Sequence, residues 1–153
     1  MQRAILKRDA FQVMGIELQT SNHGKRSHRE IPEHWDRFYG DQIHKRIPGR
    51  VDDTVYALYT NYHAGRRGQY SLVLGYQVSP DFTVPEDLVT HTVPAARYAV
   101  FTASGSYPDS ILKTWEHIWN TDLPRAFTGD FEIYDPGYVE SDWPEVPVYI
   151  ALE

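Results

Sequence analysis

Two pairs of short segments resemble each other, and the members of each pair recur in the same order along the chain. Residues 31–38 (IPEHWDRF) resemble residues 111–118 (ILKTWEHI), and residues 55–59 (VYALY) resemble residues 130–134 (DFEIY). The first pair has apolar residues at helical spacing, and the second is rich in strand-forming residues. Because half of this chain is too small to bury a sheet alone, we expect two copies of one unit to pair about a pseudo-twofold axis.

The hydrophobic pattern predicts a strand, a helix and two strands in each half. The first half has strands at residues 11–20, 54–62 and 70–78, and a helix at residues 31–47 with Pro32 in its first turn. The second has a strand at residues 89–103, bent or ended by Pro94, a helix from Asp109 or Ser110 to Pro124, and strands at residues 131–134 and 146–152. We predict an α+β fold of antiparallel sheets and two main helices. It forms a single domain over residues 1–153, with a ligand groove between halves 1–80 and 81–153.

Glu132 occupies an unusual place in the segment at residues 130–134. Strand alternation puts Phe131 and Ile133 on one face, and Glu132 and Tyr134 on the other. A single carboxylate among large apolar residues permits two interpretations. Glu132 lies on a solvated face, as Glu ordinarily does, or it lies in an aromatic pocket that receives a cation or a polarised group.

Composition and charge exclude several classes of function. There is no Cys, so disulfides, thiolate catalysis and zinc–thiolate sites are absent. The net charge is −6, and the only basic clusters, Lys25 with Arg26 and Arg29 and the tip Arg66-Arg67, are typical of solvated loops, so direct nucleic-acid binding is not expected. The N-terminus has no signal peptide and no apolar run approaches the ~20 residues that span a bilayer. We expect a soluble cytoplasmic protein.

Motifs for metals, cofactors and common catalytic centres are missing. The seven histidines are scattered and include no His-Glu-x-x-His; they are His23, His28, His34, His44, His63, His91 and His117. Neither a phosphate-binding loop nor a Gly-x-Ser-x-Gly elbow occurs. We predict no cofactor and no metal site.

Taken together, the segments resemble a known family. The order VYALYTNY, YSLVLGYQV, VPAARYAVFTASG, GDFEIYDP and VPVYIAL is similar to the GyrI-like small-molecule-binding domain of the SOUL/GyrI-like superfamily, which is also the effector-binding half of some AraC-type and MerR-type transcription regulators. The resemblance covers nearly the whole chain and implies the same duplicated fold. Only about ten residues precede the first predicted strand, so we expect a free-standing member that does not bind DNA by itself.

The resemblance also implies a site. Members of this family bind hydrophobic, often cationic or planar compounds in a groove between the halves, where a central Glu contacts the ligand. Glu132 matches that Glu, with Tyr134 beside it in the same motif. Aromatic candidates for the groove walls are Trp35, Phe38, Tyr59, Trp115, Trp119 and Tyr149, each of which could equally be a core residue.

We therefore expect a non-enzymatic protein that binds an amphipathic or cationic small molecule. One alternative, also implied by the resemblance, is a hydrolase that opens cyclopropane-bearing genotoxic natural products, with Glu132 orienting water and Tyr59 donating to an oxyanion. A second alternative is a gyrase-modulating module that binds a protein. A homodimer or another protein partner stays open.

Overall fold

The computed structural model describes residues 3–22, 26–62, 68–138, 141 and 143–153. Their elements, in chain order, are β1 (Arg3–Arg8), β2 (Phe11–Ser21), α1 (Arg26–Gly40), a 3₁₀ helix (Ile43–Lys45), β3 (Arg50–Thr60), β4 (Gln69–Val78), β5 (Val89–Val93), β6 (Ala96–Ser104), α2 (Asp109–Trp119), β7 (Asp130–Tyr134) and β8 (Glu145–Leu152). The strands form one antiparallel sheet, joined at its centre by the β3–β7 pair. The predicted α+β class is confirmed.

Short links between distant strands curl this sheet. The strand order is β1-β6-β8-β7-β3-β4-β2-β5, so β1 and β2 are six positions apart. Neighbouring strands lie ~4.8 Å apart, so a flat sheet would separate these two by roughly 29 Å. Only Asp9 and Ala10 join them, and such a link reaches about 11 Å at most. The sheet therefore curls, and Phe11 in β2 meets Phe131 in β7 with ring centroids 5.3 Å apart.

The two faces of the sheet carry different apolar clusters. The cluster inside the curl includes Phe11, Val13, Tyr56, Leu58, Tyr98 and Phe131. The cluster on the other face lies against the helices and includes Phe38 of α1, Trp115 of α2 and Tyr134 of β7. Strand alternation in β7 thus points Phe131 into the curl and directs Tyr134, together with Glu132, toward the helices.

Helix α1 begins earlier than its proline predicts. Pro32 lies inside the helix, which starts at Arg26 rather than at residue 31 and ends at Gly40. Glu30 holds the added first turn, because its Oε1 accepts from Thr20 Oγ1 and from Arg26 Nε, each at 2.7 Å. The prediction that residues 21–30 form a loop was therefore wrong for residues 26–30, and the 3₁₀ helix over Ile43–Lys45 replaces the predicted last turns.

Two further boundaries differ from the prediction. The strand predicted for residues 89–103 is two strands, β5 and β6, with Pro94 and Ala95 between them, as expected where proline cannot continue a ladder. Strand β1 was not predicted at all, although it pairs with β6 along its whole length. Helix α2 ends at Trp119, before Pro124. Lys25 and Arg66-Arg67, the predicted basic loops, fall outside the described residues, as do His23 and His63.

Candidate functional site

Glu132 is a buried carboxylate held by three donors. It is 3% exposed, so the interpretation of a solvated Glu132 was wrong. Its Oε2 accepts from Trp115 Nε1 at 2.7 Å and from Tyr59 OH at 2.9 Å. Its Oε1 accepts from Tyr134 OH at 2.6 Å. Helix α2, strand β3 and strand β7 each supply one donor, so the packing of these elements fixes the position of the carboxylate.

Burial controls the ionisation of this cluster. It raises the pKa of Glu132 above its ordinary value, and the hydrogen bonds from Tyr134, Trp115 and Tyr59 oppose that rise. Burial and the charge of Glu132 raise the pKa values of Tyr59 and Tyr134 well above 10, which keeps both phenols protonated as donors. No Lys, Arg or His in the described part of the chain forms an ion pair with Glu132.

A cavity of about 270 Å³ lies in front of this cluster, between the two helices. Its walls come from α1, α2, β3, β4 and four connecting segments. The residues that line it are Asn22, Ser27, His28, Ile31, Pro32, Tyr59, Tyr62, Tyr70, Tyr107, Pro108, Ile111, Leu112, Trp115, Trp119, Arg125 and Phe127. Tyr59 and Trp115 both line the cavity and bind Glu132. The carboxylate therefore lies one layer behind an aromatic wall.

A second carboxylate lies on the same face of β7, two residues before Glu132. Asp130 is wholly buried. Its Oδ2 accepts from Arg125 Nη2 at 2.7 Å and from Tyr62 OH at 2.6 Å, and its Oδ1 accepts from the Ala151 backbone N–H at 2.8 Å. Burial raises the pKa of Asp130, while Arg125 and Tyr62 act against that rise. Unlike Glu132, this carboxylate has its own cation.

Five of the eight residues predicted for the site meet at this place. Glu132 and Tyr134 form the buried cluster, and Tyr59, Trp115 and Trp119 line the cavity. The sequence motif and the helix periodicity had indicated these residues, and the structure brings them together across α2, β3 and β7.

The other three predicted residues lie elsewhere. Trp35 stands behind the cluster, with its ring 5.1 Å from that of Tyr134. Phe38 is fully buried in the core beneath α1. Tyr149 lies on the opposite face of the sheet, where it stacks on Phe131 at 4.7 Å.

Sequence reasoning missed several residues that line the cavity, notably Tyr62, Tyr70, Tyr107, Arg125 and Phe127. Most of them lie in loops or at strand ends, where neither helical nor strand periodicity applies. Asp130 was within reach of the sequence argument, because alternation gives it the same face as Glu132.

The described residues show neither a metal site nor a membrane-spanning helix. Among them no group of three or more His, Asp or Glu could hold a metal ion. Across the same described segments, neither helix has the length and hydropathy to cross a bilayer.

Comparison with known proteins gives a consistent picture. Residues 4–152 match the model of the family described as Cass2, integron-associated effector binding protein. The chain is 31% identical over 150 residues to YobU of Bacillus subtilis, covering 95% of this chain and 94% of that protein. It is 33% identical over 141 residues to the transcriptional regulator BrlR of Pseudomonas aeruginosa, covering 88% of this chain but only 48% of that protein.

Solved structures share the fold. An integron cassette protein from the mobile metagenome of Vibrio cholerae superposes with a TM-score of 0.77 at 27% identity, covering 99% of this chain and 95% of its own. The protein SAV2435, solved bound to tetraphenylphosphonium, superposes with a TM-score of 0.84 at 16% identity over 100% of this chain and 94% of its own. The second likeness establishes the fold alone.

Proposed function

The chain belongs to the Cass2 family of integron-associated effector binding proteins, and we propose that its effector is a hydrophobic small molecule that is cationic or planar, with a cation favoured by the charge of Glu132. The proposed site is the cavity between α1 and α2, with Glu132 as its central charge. The observation that carries the proposal is the buried Glu132 carboxylate, which has three hydrogen-bond donors but no cationic partner among the described residues. The tetraphenylphosphonium bound to SAV2435 is likewise a hydrophobic cation, although its four phenyl rings are arranged tetrahedrally about phosphorus and it is not planar.

A cationic ligand would complete this arrangement electrostatically. Burial disfavours the ionised form of Glu132, and a positive charge at the cavity wall would favour it. The interaction acts through a medium of lower effective dielectric than water, so it is stronger than the same pair at a surface. The rings of Tyr59, Trp115 and Trp119 border the cavity and add cation–π attraction of about 0.5–2 kcal/mol.

The remaining residues have supporting roles in this proposal. Tyr134 orients the Glu132 carboxylate through its 2.6 Å hydrogen bond, and Trp35 packs edge-on against the Tyr134 ring. Phe38 and Tyr149 are left out, because one lies in the core and the other on the opposite face of the sheet.

The test compares two ligands of the same shape. N-benzylquinolinium carries its charge on a planar quinolinium ring, and 1-benzylnaphthalene is its neutral counterpart; isothermal titration calorimetry measures the binding of each. We expect Glu132→Gln to weaken the cation by about 1–3 kcal/mol, the order of magnitude for one unit charge acting through the aromatic wall at an effective dielectric constant of about 20, and to leave the neutral compound unchanged. Glu116→Gln, an exposed position on α2, is the matched control. Equal affinities of Glu132→Gln and the parent for the cation would remove Glu132 from the site.

The hydrolase alternative is weaker on the same geometry. Both oxygens of Glu132 already accept hydrogen bonds, and Glu132 is not among the residues that line the cavity. A general base must reach the water that it activates. Incubation with a cyclopropane-bearing alkylator decides between the two: more than one equivalent of ring-opened product identifies an enzyme, and protection at one-to-one stoichiometry identifies a binding protein.

We also infer that the chain arose by duplication, with a pseudo-twofold axis between β3 and β7. The strand order supports this, since the order outward from β3 is β4 then β2, and outward from β7 it is β8 then β6. The register supports it too. Ala57 and Glu132 are the central residues of the two similar segments, and they face each other in the β3–β7 ladder.

A further inference from the structure

Two buried carboxylates lie behind the wall of the cavity, and residues of that wall hold each of them. Glu132 accepts hydrogen bonds from two wall residues. Asp130, two residues earlier on the same face of β7, accepts from Tyr62 OH at 2.6 Å and from Arg125 Nη2 at 2.7 Å, and both of these residues line the cavity too. The carboxylates are 3% and 0% exposed. A ligand in the cavity therefore senses both of them through their charge and touches neither.

Only one of these two carboxylates has a counter-charge within the described part of the chain. Arg125 pairs with Asp130, its side chain is 10% exposed, and its guanidinium carbon lies 4.3 Å from the ring centroid of Phe127. Glu132 has no such partner among the described residues. Arg125 is also the only Lys, Arg, Asp or Glu among the described residues that line the cavity. The ion pair is neutral as a whole, so the cavity senses one net negative charge, that of Glu132.

The charge of the ion pair matters because the two carboxylates lie close together. Residues two apart in a strand are separated by about 7 Å, and unit charges at such a distance interact appreciably where the effective dielectric is below that of water. A second positive charge on a ligand would lose its hydration in the cavity and find no free carboxylate, since Arg125 already neutralises Asp130. Removing an ion from water without a partner is costly.

We propose that the cavity selects a ligand with a single positive charge, and that Arg125 is the specificity-determining residue that sets this number by neutralising Asp130. Without the charge of Arg125, two neighbouring carboxylates would lie behind the wall, and a dication would be favoured instead. The assignment rests on the proposed function, because it presupposes that a cation binds in front of Glu132. It adds the number of charges on the ligand, which the proposed function leaves open.

Three compounds of nearly the same shape test the charge number in the parent protein. Methyl viologen is a dication, N-methyl-4-(p-tolyl)pyridinium is its monocationic carbon analogue, and 4,4′-dimethylbiphenyl is the neutral one; isothermal titration calorimetry measures the binding of each. We expect the monocation to bind about tenfold or more tightly than the dication, because the second charge is desolvated without a partner. This comparison needs no variant, so it does not depend on whether a substituted protein folds.

Variants of the ion pair test the role of Arg125. Titrations at about pH 8 favour the ionised form of Asp130, whose pKa burial raises. We expect Arg125→Met, which leaves Asp130 without its cation, to lower the preference for the monocation over the dication by about tenfold or more. Arg125→Lys keeps the positive charge, and Arg125→Met combined with Asp130→Asn removes both charges, so each should show a preference close to that of the parent.

Breaking a buried ion pair can unfold a protein, so thermal melting of each variant accompanies the titrations. Asp130→Asn supplies the opposite arm, because it leaves Arg125 unpaired: the ratio of monocation affinity to dimethylbiphenyl affinity is expected to fall about tenfold or more.

The outcomes separate this proposal from the one on which it rests. A parent that binds the dication as tightly as the monocation, but still prefers the monocation to dimethylbiphenyl, overturns the single-charge proposal alone. A preference that folded Arg125→Met leaves unchanged overturns the role of Arg125. A parent that binds the monocation no more tightly than dimethylbiphenyl contradicts the proposed cation site, and the single-charge proposal with it.

Discussion

At the scale of single residues, the proposed function makes cation binding depend on the ionisation of Glu132. Burial raises its pKa above the ordinary value of 4.5, so the carboxylate takes up a proton at a higher pH than an exposed Glu does. The proposed cation binding needs the ionised form. Under that proposal the affinity for a cation is fully present above the raised pKa of Glu132 and is lost as the pH falls through it.

This gives a prediction for the pH dependence of binding. We expect the dissociation constant of N-benzylquinolinium to be constant above the raised pKa of Glu132 and to rise about tenfold per pH unit below it. Binding of 1-benzylnaphthalene is expected to stay flat over the same range. A midpoint at or below 4.5 for the cation would contradict the role given to burial.

Sequence reasoning found only part of this candidate site, and the reason that it missed the rest is physical. Alternation says which residues share a face of a strand, and it placed Glu132 with Tyr134 correctly. It does not say which face lies under the helices, so Tyr149 was assigned to the groove although it points into the curl with Phe131. Arg125 lies in the irregular segment between α2 and β7, where no periodic pattern exists to be interpreted.

At the scale of elements, a pair of glycines lets β2 and β4 approach each other. Gly15 and Gly75 face each other in this ladder. A Cβ atom on Gly75 would lie 1.9 Å from the Met14 carbonyl oxygen, and one on Gly15 would lie 1.9 Å from the Leu74 carbonyl oxygen. Backbone atoms cannot rotate away as a side chain can, so any larger residue must separate the two strands.

We accordingly predict that Gly75→Ala lowers the free energy of unfolding by about 1–3 kcal/mol, the usual cost of overpacking. Gly40→Ala is the control, because a Cβ there meets nothing within 4 Å; at the end of a helix it should be neutral or stabilising by up to about 1 kcal/mol. Urea denaturation of both variants measures the difference. Equal stability of Gly75→Ala and the parent would mean that the strands separate without cost.

Two prolines show how well the ends of a helix or strand can be predicted from neighbouring residues alone. Pro94 ended a strand as expected, because its missing N–H breaks a ladder. Pro32 did not start its helix, since contacts from Thr20 and Arg26 to Glu30 extend α1 backward by several residues. Those contacts include one from another element, and a local rule contains no information about them.

At the scale of the whole molecule, the central pair of β3 and β7 brings the two halves together at the site. Tyr59 comes from one half and Glu132 from the other, and their side chains meet at 2.9 Å. The internal similarity of the sequence predicted the place of this junction. It did not predict that all eight strands form one sheet, because β1 was overlooked and β5 and β6 were predicted as one strand.

The two-residue links that curl the sheet also make each half depend on the other. Strand β1 belongs to the first half but pairs with β6, and β5 belongs to the second half but pairs with β2. The first strand of each half thus pairs with a strand of the other half, so neither half has all its strands paired when it is alone.

We predict that fragments 1–83 and 84–153, cut at the exposed residues Thr83 and Val84, do not melt cooperatively when separate. When co-expressed, they should complement each other and bind N-benzylquinolinium. Calorimetry of each fragment and of the mixture checks this, and a fragment that melts cooperatively alone would refute the mutual dependence.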